Sequence, residues 1–218
     1  MTELDDLARR RSQYETAGLE PDQLAPDPIE QWRRWYDEAV GADLHEPNAV
    51  VVSTVDADGR PDARFVLLRG ADDRGFTFYT NHESAKGGQL ASNGAVALTF
   101  GWLALHRQVR VRGVATRFDD DEADAYWASR PRESQVASAA SPQSRVVPDR
   151  DELDRLVAAT DAAYAGRPVA RPPGWGGYRV RPDEVEFWQG RPARLHDRLR
   201  YRPDAHTSGA WVVERLAP

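Results

Sequence analysis

The stretch Glu186-Phe187-Trp188-Gln189-Gly190, followed by Arg194-Leu195-His196-Asp197-Arg198, holds a dense group of chemistry-bearing side chains. Read as a strand from Arg194 onward, it places Arg194, His196 and Arg198 on one face, because successive strand side chains alternate. Two guanidinium groups flanking an imidazole would bind an anion and handle a proton. A charged, solvated edge strand is the plainer account of the same residues. A second signal is compositional: of the 29 basic residues only Lys86 is lysine. An ammonium is a compact point charge and a guanidinium a planar fork, so one lysine in an arginine background marks a position where that difference can matter. A lone solvated surface lysine would look the same.

Elements must position these groups. Asp27 as N-cap, Pro28 at the first helical position and Glu30 three residues after the cap announce a helix whose apolar stripe is Ile29, Trp32, Trp35, Tyr36, Ala39 and Val40. Short runs rich in Val, Leu, Phe and Thr follow at 49–55, 63–69, 76–81, 95–102 and 107–114, separated by turn pairs such as Asp58-Gly59, Arg74-Gly75 and Asn93-Gly94. The connections are too short for crossover helices, which predicts an antiparallel meander closed as a barrel or strongly twisted sheet. A short helix over 120–129 stops at Pro131, and a longer one starts from Asp149, with Glu152 completing a capping-box pattern, and ends by Gly166. The tail returns to strands at 177–180, 185–189, 194–201 and 210–215. Residues 1–26, charged and punctuated by Pro21 and Pro26, read as a mobile arm, and 27–218 as a single domain.

Bulk properties narrow the function. A formal charge of -6 and a pI near 5.4, with no basic run, argue against nucleic acid as a partner. The absence of cysteine removes disulfides, thiolate metal sites and cysteine nucleophiles; no metal site is nominated. No apolar segment reaches membrane-spanning length, so a cytoplasmic protein is expected.

The tail resembles the C-terminal signature of pyridoxamine 5'-phosphate oxidases, and the likeness runs from about Arg11 to Pro218. It implies a mainly β fold with helices, an antiparallel split β-barrel of the FMN-binding type, with FMN bound in a homodimer. It also implies oxidation of pyridoxamine or pyridoxine 5'-phosphate to pyridoxal 5'-phosphate by molecular oxygen. By the same resemblance, Arg64-Phe65-Val66-Leu67-Leu68-Arg69 is a flavin-contacting strand, Tyr79, Thr80, Ser84 and Lys86 engage the FMN phosphate region, and Gln108, Gln143, Ser144, Trp188 and Arg198 complete the cofactor set. Tyr126, Arg130 and Ser134 form a substrate-phosphate clamp, joined by Arg69. Arg194 and His196 hold the pyridine ring over the flavin as the catalytic pair, and Arg11 and Tyr14 form a lid.

Two positions and one segment depart from the family pattern. Arg69 stands where a lysine is usual, Ala85 where an arginine is common, and Val136 to Ala140 where a tryptophan-containing segment is common. Arg69 keeps the charge and changes its shape, so substrate identity is the property it bears on. Three alternatives stay open: a related FMN oxidase acting on a phenazine-type biosynthetic intermediate, a non-catalytic flavin or pyridoxal phosphate binding protein, and a deazaflavin-dependent reductase on a similar barrel.

Overall fold

A computed structural model describes Tyr14 and residues 16–218; Arg11, nominated for the lid, lies outside them. Eight strands form one sheet: β1 Ala49–Val55, β2 Pro61–Asp72, β3 Gly75–Asn81, β4 Ala95–Trp102, β5 Arg107–Arg117, β6 Trp175–Gln189, β7 Asp197–Pro203 and β8 Trp211–Leu216. Among the described residues five helices accompany them: α1 Pro28–Gly41, α2 Ala85–Ser92, α3 Asp120–Ser129, α4 Arg132–Ala140 and α5 Arg150–Ala163. Hydrogen bonding runs β3-β2-β1-β4-β5-β6-β7-β8, and a β3–β6 pairing closes the first six strands into a ring. The mainly antiparallel split barrel expected from the sequence is therefore the fold. No helix among the described residues is long and apolar enough to cross a membrane.

The chain divides into two compact units. The first comprises the chain up to Pro47 with Thr99–Val111 and Asp183–Pro218. Here Asp27 caps α1, accepting from the backbone N–H groups of Ile29 and Glu30 at 2.8 and 3.1 Å. The helix buries Trp32 against Phe100 at a tilt and Trp35 edge to face against Phe187, as its stripe predicts. The described part of the N-terminal segment is tied down by hydrogen bonds. Leu19 N–H donates to Asp197 at 3.0 Å, and the buried Tyr201 hydroxyl donates to Ala25 carbonyl at 2.6 Å.

The second unit comprises Asn48–Leu98 and Arg112–Pro182. Its helical part packs on Trp127, Val136, Val169 and Trp175, with Tyr79, Tyr126 and Val157 against them. β1 and β2 pair in continuous register from Ala49↔Leu67 to Val55↔Pro61. Between β2 and β3 the register jumps from Leu68↔Phe78 to Gly70↔Thr77, so Arg69 sits in a β-bulge. A bulge releases one residue from the ladder and re-aims its side chain.

The tail departs from the sequence reading in two places. The expected strands at 177–180 and 185–189 are one strand, β6, which pairs with β3 from Trp175 to Val180 and with β7 from Val185 to Gln189. Pro182 stands between those two ladders, where its missing N–H costs no hydrogen bond to either. Arg194 is not in a strand. Pro192–Arg194 is a single 3-10 turn in which Ala193 and Arg194 take left-handed φ values of 54° and 62°. β7 begins only at Asp197, so strand alternation does not set the relation of Arg194 and His196 to Arg198.

Candidate functional site

A cleft of about 680 Å³ opens in the second unit. β2 supplies Arg64, Phe65, Val66, Leu67 and Arg69 to it, and β3 supplies Tyr79, Thr80 and Asn81. Lys86 comes from the first turn of α2, Tyr126 and Arg130 from α3 and its C-cap, and Ala137 and Ser138 from α4. Ser141, Gln143, Ser144 and Trp175 complete the wall. Four cationic side chains face this space, and none of the described residues lining it is a carboxylate.

The cations fall into two pairs. Lys86, 8% exposed, donates to Thr80 Oγ1 at 2.9 Å, Ser84 Oγ at 3.2 Å and Gln143 Oε1 at 3.3 Å. All three partners are neutral. Burial, then repulsion from Arg64, pull its ammonium down to about 8, against a smaller opposing pull from Asp62. Arg64 itself is braced by Val52 carbonyl at 3.1 Å, Thr54 Oγ1 at 2.6 Å, Gln89 Oε1 at 3.1 Å and the Asp62 carboxylate. The hydrogen bond from Gln89 and the charge of Arg64 hold Asp62 below the usual carboxylate range.

The second pair is Arg69 and Arg130. Arg130 lies over the rings of Trp175 and Trp127, 4.7 and 5.1 Å from their centroids, and its Nη2 donates to Ser138 Oγ at 2.9 Å. Its Nη1 is buried without a partner. Burial disfavours its charge most, and Arg69 adds repulsion while Tyr126 pulls the other way. The Arg69 side chain makes no ion pair or hydrogen bond among the described residues. Two like-charged pairs, a buried ammonium with only neutral partners and an orphaned guanidinium nitrogen all describe a surface built for anions. Beside them Tyr79 and Tyr126 stack at 3.8 Å, and burial first, then Glu122, push the Tyr79 phenol up to about 12. Tyr79 is a neutral donor at neutral pH, not a base.

Most of the cofactor set nominated from the sequence lines this cleft. Ser84 does not line it but caps α2 and holds Lys86, and Leu68 is buried at 4% exposure in the core. Of the substrate clamp, Tyr126, Arg130 and Arg69 line the cleft and Ser134 does not. Asn81, Ser138, Ser141 and Trp175 line it without having been nominated. For Ser138 and Ser141 a signal existed: 134, 137, 138 and 141 follow helical spacing, but α4 buries only Val136 and has no apolar stripe to announce it.

The remaining nominees belong to the first unit. Tyr14 packs against His106 at 4.4 Å, His196 at 5.7 Å and Trp188 at 6.2 Å, and Trp188 lies 4.5 Å from His196. His196 Nδ1 accepts from the Arg191 backbone N–H at 3.1 Å, so the neutral imidazole carries its proton on Nε2. Burial, then Arg194, lower its pKa, with Asp197 opposing. Arg194 is exposed. Gln108 is half-buried on β5. Arg198 grips the buried Glu186 at 2.8 and 3.2 Å and donates to Ala217 carbonyl at 2.9 Å.

Residues 36–164 match the family described as pyridoxamine 5'-phosphate oxidase, and residues 175–218 match the pyridoxine 5'-phosphate oxidase C-terminal dimerisation region. Pyridoxine/pyridoxamine 5'-phosphate oxidase of Cupriavidus necator is 53% identical over 218 residues, covering 100% of both chains. The enzyme of the same name from Rubrobacter xylanophilus is 53% identical over 213 residues, 98% of this chain and 97% of that one. Among solved structures, PhzG from Burkholderia lata 383, in complex with tetrahydrophenazine-1-carboxylic acid, superposes with a TM-score of 0.86 at 33% identity, covering 95% of this chain and 100% of that one.

Proposed function

This chain belongs to the pyridoxamine 5'-phosphate oxidase family of oxidoreductases, and from that premise we propose that it binds FMN and oxidises pyridoxamine or pyridoxine 5'-phosphate to pyridoxal 5'-phosphate. Molecular oxygen is reduced to hydrogen peroxide; the alcohol needs nothing else, and the amine also takes up water and releases ammonia. The observation that carries the reading is the sorting of the cleft's cations into two separate pairs. One phosphate from the cofactor and one from the substrate match that arrangement: Asp62 already meets Arg64, whereas Lys86 in one pair and Arg69 and Arg130 in the other have no carboxylate partner among the described residues.

Bound flavin supplies the two-electron acceptor that the amino acids lack. The chain's own residues bind, orient and handle protons. Arg64 and Lys86, with Thr80, Gln143 and Ser144, would hold the FMN phosphate region, Ser84 would keep Lys86 in place, and Phe65 to Leu67 and Tyr79 would flank the cofactor. Gln108, Trp188 and Arg198 complete the cofactor set in a homodimer, a state supported by the dimerisation region matched at 175–218. Arg130, Tyr126 and Arg69 hold the substrate phosphate and supply binding energy remote from the reacting carbon. Arg194 and His196 orient the pyridine ring, and Arg11 and Tyr14 close over it. With Nδ1 occupied by Arg191 N–H, neutral His196 offers Nε2–H to a ring oxygen or amine as donor and cannot accept a proton there.

The test is anaerobic mixing of FMN-loaded protein with each phosphorylated vitamer while flavin absorbance is followed. Bleaching that reverses in air supports the oxidase and excludes a non-catalytic binding protein. The second reading, oxidation of a phenazine-type intermediate, is favoured by the likeness to PhzG and by Arg69 in place of the usual lysine. Bound FMN with no bleaching by either vitamer would turn the assignment to it.

A further inference from the structure

Arg64 lines the cleft, yet most of its guanidinium is already occupied. A guanidinium has five N–H donors. The two on Nη1 go to Val52 carbonyl at 3.1 Å and Thr54 Oγ1 at 2.6 Å, and the two on Nη2 go to Gln89 Oε1 at 3.1 Å and the Asp62 carboxylate. Among the described residues only Nε–H is left for a ligand. A guanidinium grips phosphate best through two parallel N–H donors, so one of these partners must give way when a phosphate arrives. Resting on the reading that Arg64 holds the phosphate of FMN, we infer that Asp62 is a resident counter-ion which that phosphate displaces, holding down the affinity for FMN and the preference for FMN over riboflavin. Thr54 is 1% exposed, the Val52 carbonyl belongs to the β1 backbone and Gln89 is half-buried, whereas the Asp62 side chain is 47% exposed and regains water on release. Once released, it keeps the Gln89 Nε2 donor at 3.1 Å and the Ala63 N–H at 2.8 Å. Asp62 does not line the cleft, so while paired it engages one edge of the guanidinium with a group outside it. The carboxylate also repels an incoming phosphate. Lys86, whose three partners are neutral, has no bonded counter-ion to displace.

The test titrates the full-length apoprotein of wild type, D62N, D62A and D58N with FMN and with riboflavin, following flavin fluorescence. Riboflavin carries the same ring system without the phosphate. Asp58, 70% exposed in the turn between β1 and β2, controls for the loss of one negative charge. Aspartate is already disfavoured in strands, so neither replacement of Asp62 threatens β2. We expect D62N and D62A each to tighten FMN about fivefold, the scale of one partly exposed ion pair, with riboflavin affinity unchanged. D58N should bind both flavins as the wild type does. FMN affinity that is unchanged or weakened in D62N and D62A overturns the inference, because Asp62 would then orient Arg64 and not compete for it. Equal tightening of riboflavin, or equal tightening of FMN in D58N, overturns it as well, since the effect would not run through the phosphate at Arg64. Wild type that binds riboflavin as tightly as FMN overturns the phosphate reading of Arg64, and the role of Asp62 with it.

Discussion

The Lys86 ammonium lies 2.9 Å from the Thr80 hydroxyl in a cleft whose described lining holds no carboxylate. With its pKa brought down to about 8, Lys86 is partly deprotonated just above neutrality when no anion is bound. A phosphate restores the charge, so binding above pH 8 is coupled to proton uptake. FMN affinity should therefore be full below about pH 8 and fall by up to about tenfold per pH unit above it. Titration of apoprotein with FMN between pH 7 and 9.5 measures this, and Lys86→Met should weaken binding and remove the slope. A slope that persists in Lys86→Met would assign the proton elsewhere.

The same group makes a stability prediction for the apoprotein. Its folded pKa lies below the unfolded value of 10.5, so the unfolded chain binds more protons between about pH 8 and 10.5. The contribution of Lys86 to stability thus increases as pH rises through that window. Comparing wild type with Lys86→Met by urea denaturation at pH 7.5 and 9.5 isolates it; an advantage of the variant that grows with pH would contradict the sign.

Gly87 and Gly88 are neighbours in α2 with opposite expectations. A Cβ on Gly87 would stand 2.1 Å from the His82 carbonyl oxygen, a backbone contact that cannot give way cheaply, whereas at Gly88 nothing lies within 4 Å. Replacing a helical glycine by alanine gains about 1 kcal/mol of propensity. At Gly88 that gain should appear as a raised Tm. At Gly87 the overlap outweighs it, and we expect Gly87→Ala to cost about 1–3 kcal/mol and to weaken FMN binding by displacing Lys86.

His196 needs Nδ1 free of a proton to accept from Arg191 N–H. Its lowered pKa means the neutral form persists below the usual imidazole range. The acid limb of the kcat/KM profile that reports this imidazole should therefore be centred below the usual imidazole value of 6.5. An acid limb centred at or above 6.5 that disappears in His196→Asn would show that the imidazole is not held neutral.

Arg194 is exposed and adopts a left-handed φ of 62°. Truncation there removes no core contact, so Arg194→Ala should retain fold and FMN while turnover falls about 100-fold from lost substrate orientation. Visible spectra and rates on one preparation decide it, and unchanged turnover would remove Arg194 from the site.

The barrel and α1 were legible in the sequence because their signals are local: alternation in β1 and β4, turn pairs between strands, and Asp27-Pro28 ahead of a stripe of tryptophans. α2 and α4 were not, since Gly87 and Gly88 depress helical propensity in one and the other buries a single apolar residue. The lone Lys86 was conspicuous from composition alone. That its partners are all neutral depends on Gln143, 57 positions away, and no local pattern encodes such a contact. Side-chain types, strand periodicity and helix caps are written residue by residue, so the sequence by itself determined the fold class and the chemistry of the cations. Tertiary structure alone decided the bulge at Arg69, the turn that takes Arg194 out of the strand, and the choice of Ser138 over Ser134 as partner of Arg130. Those depend on register and on which turn of a helix meets the cleft, and both are set by packing between segments distant in the chain.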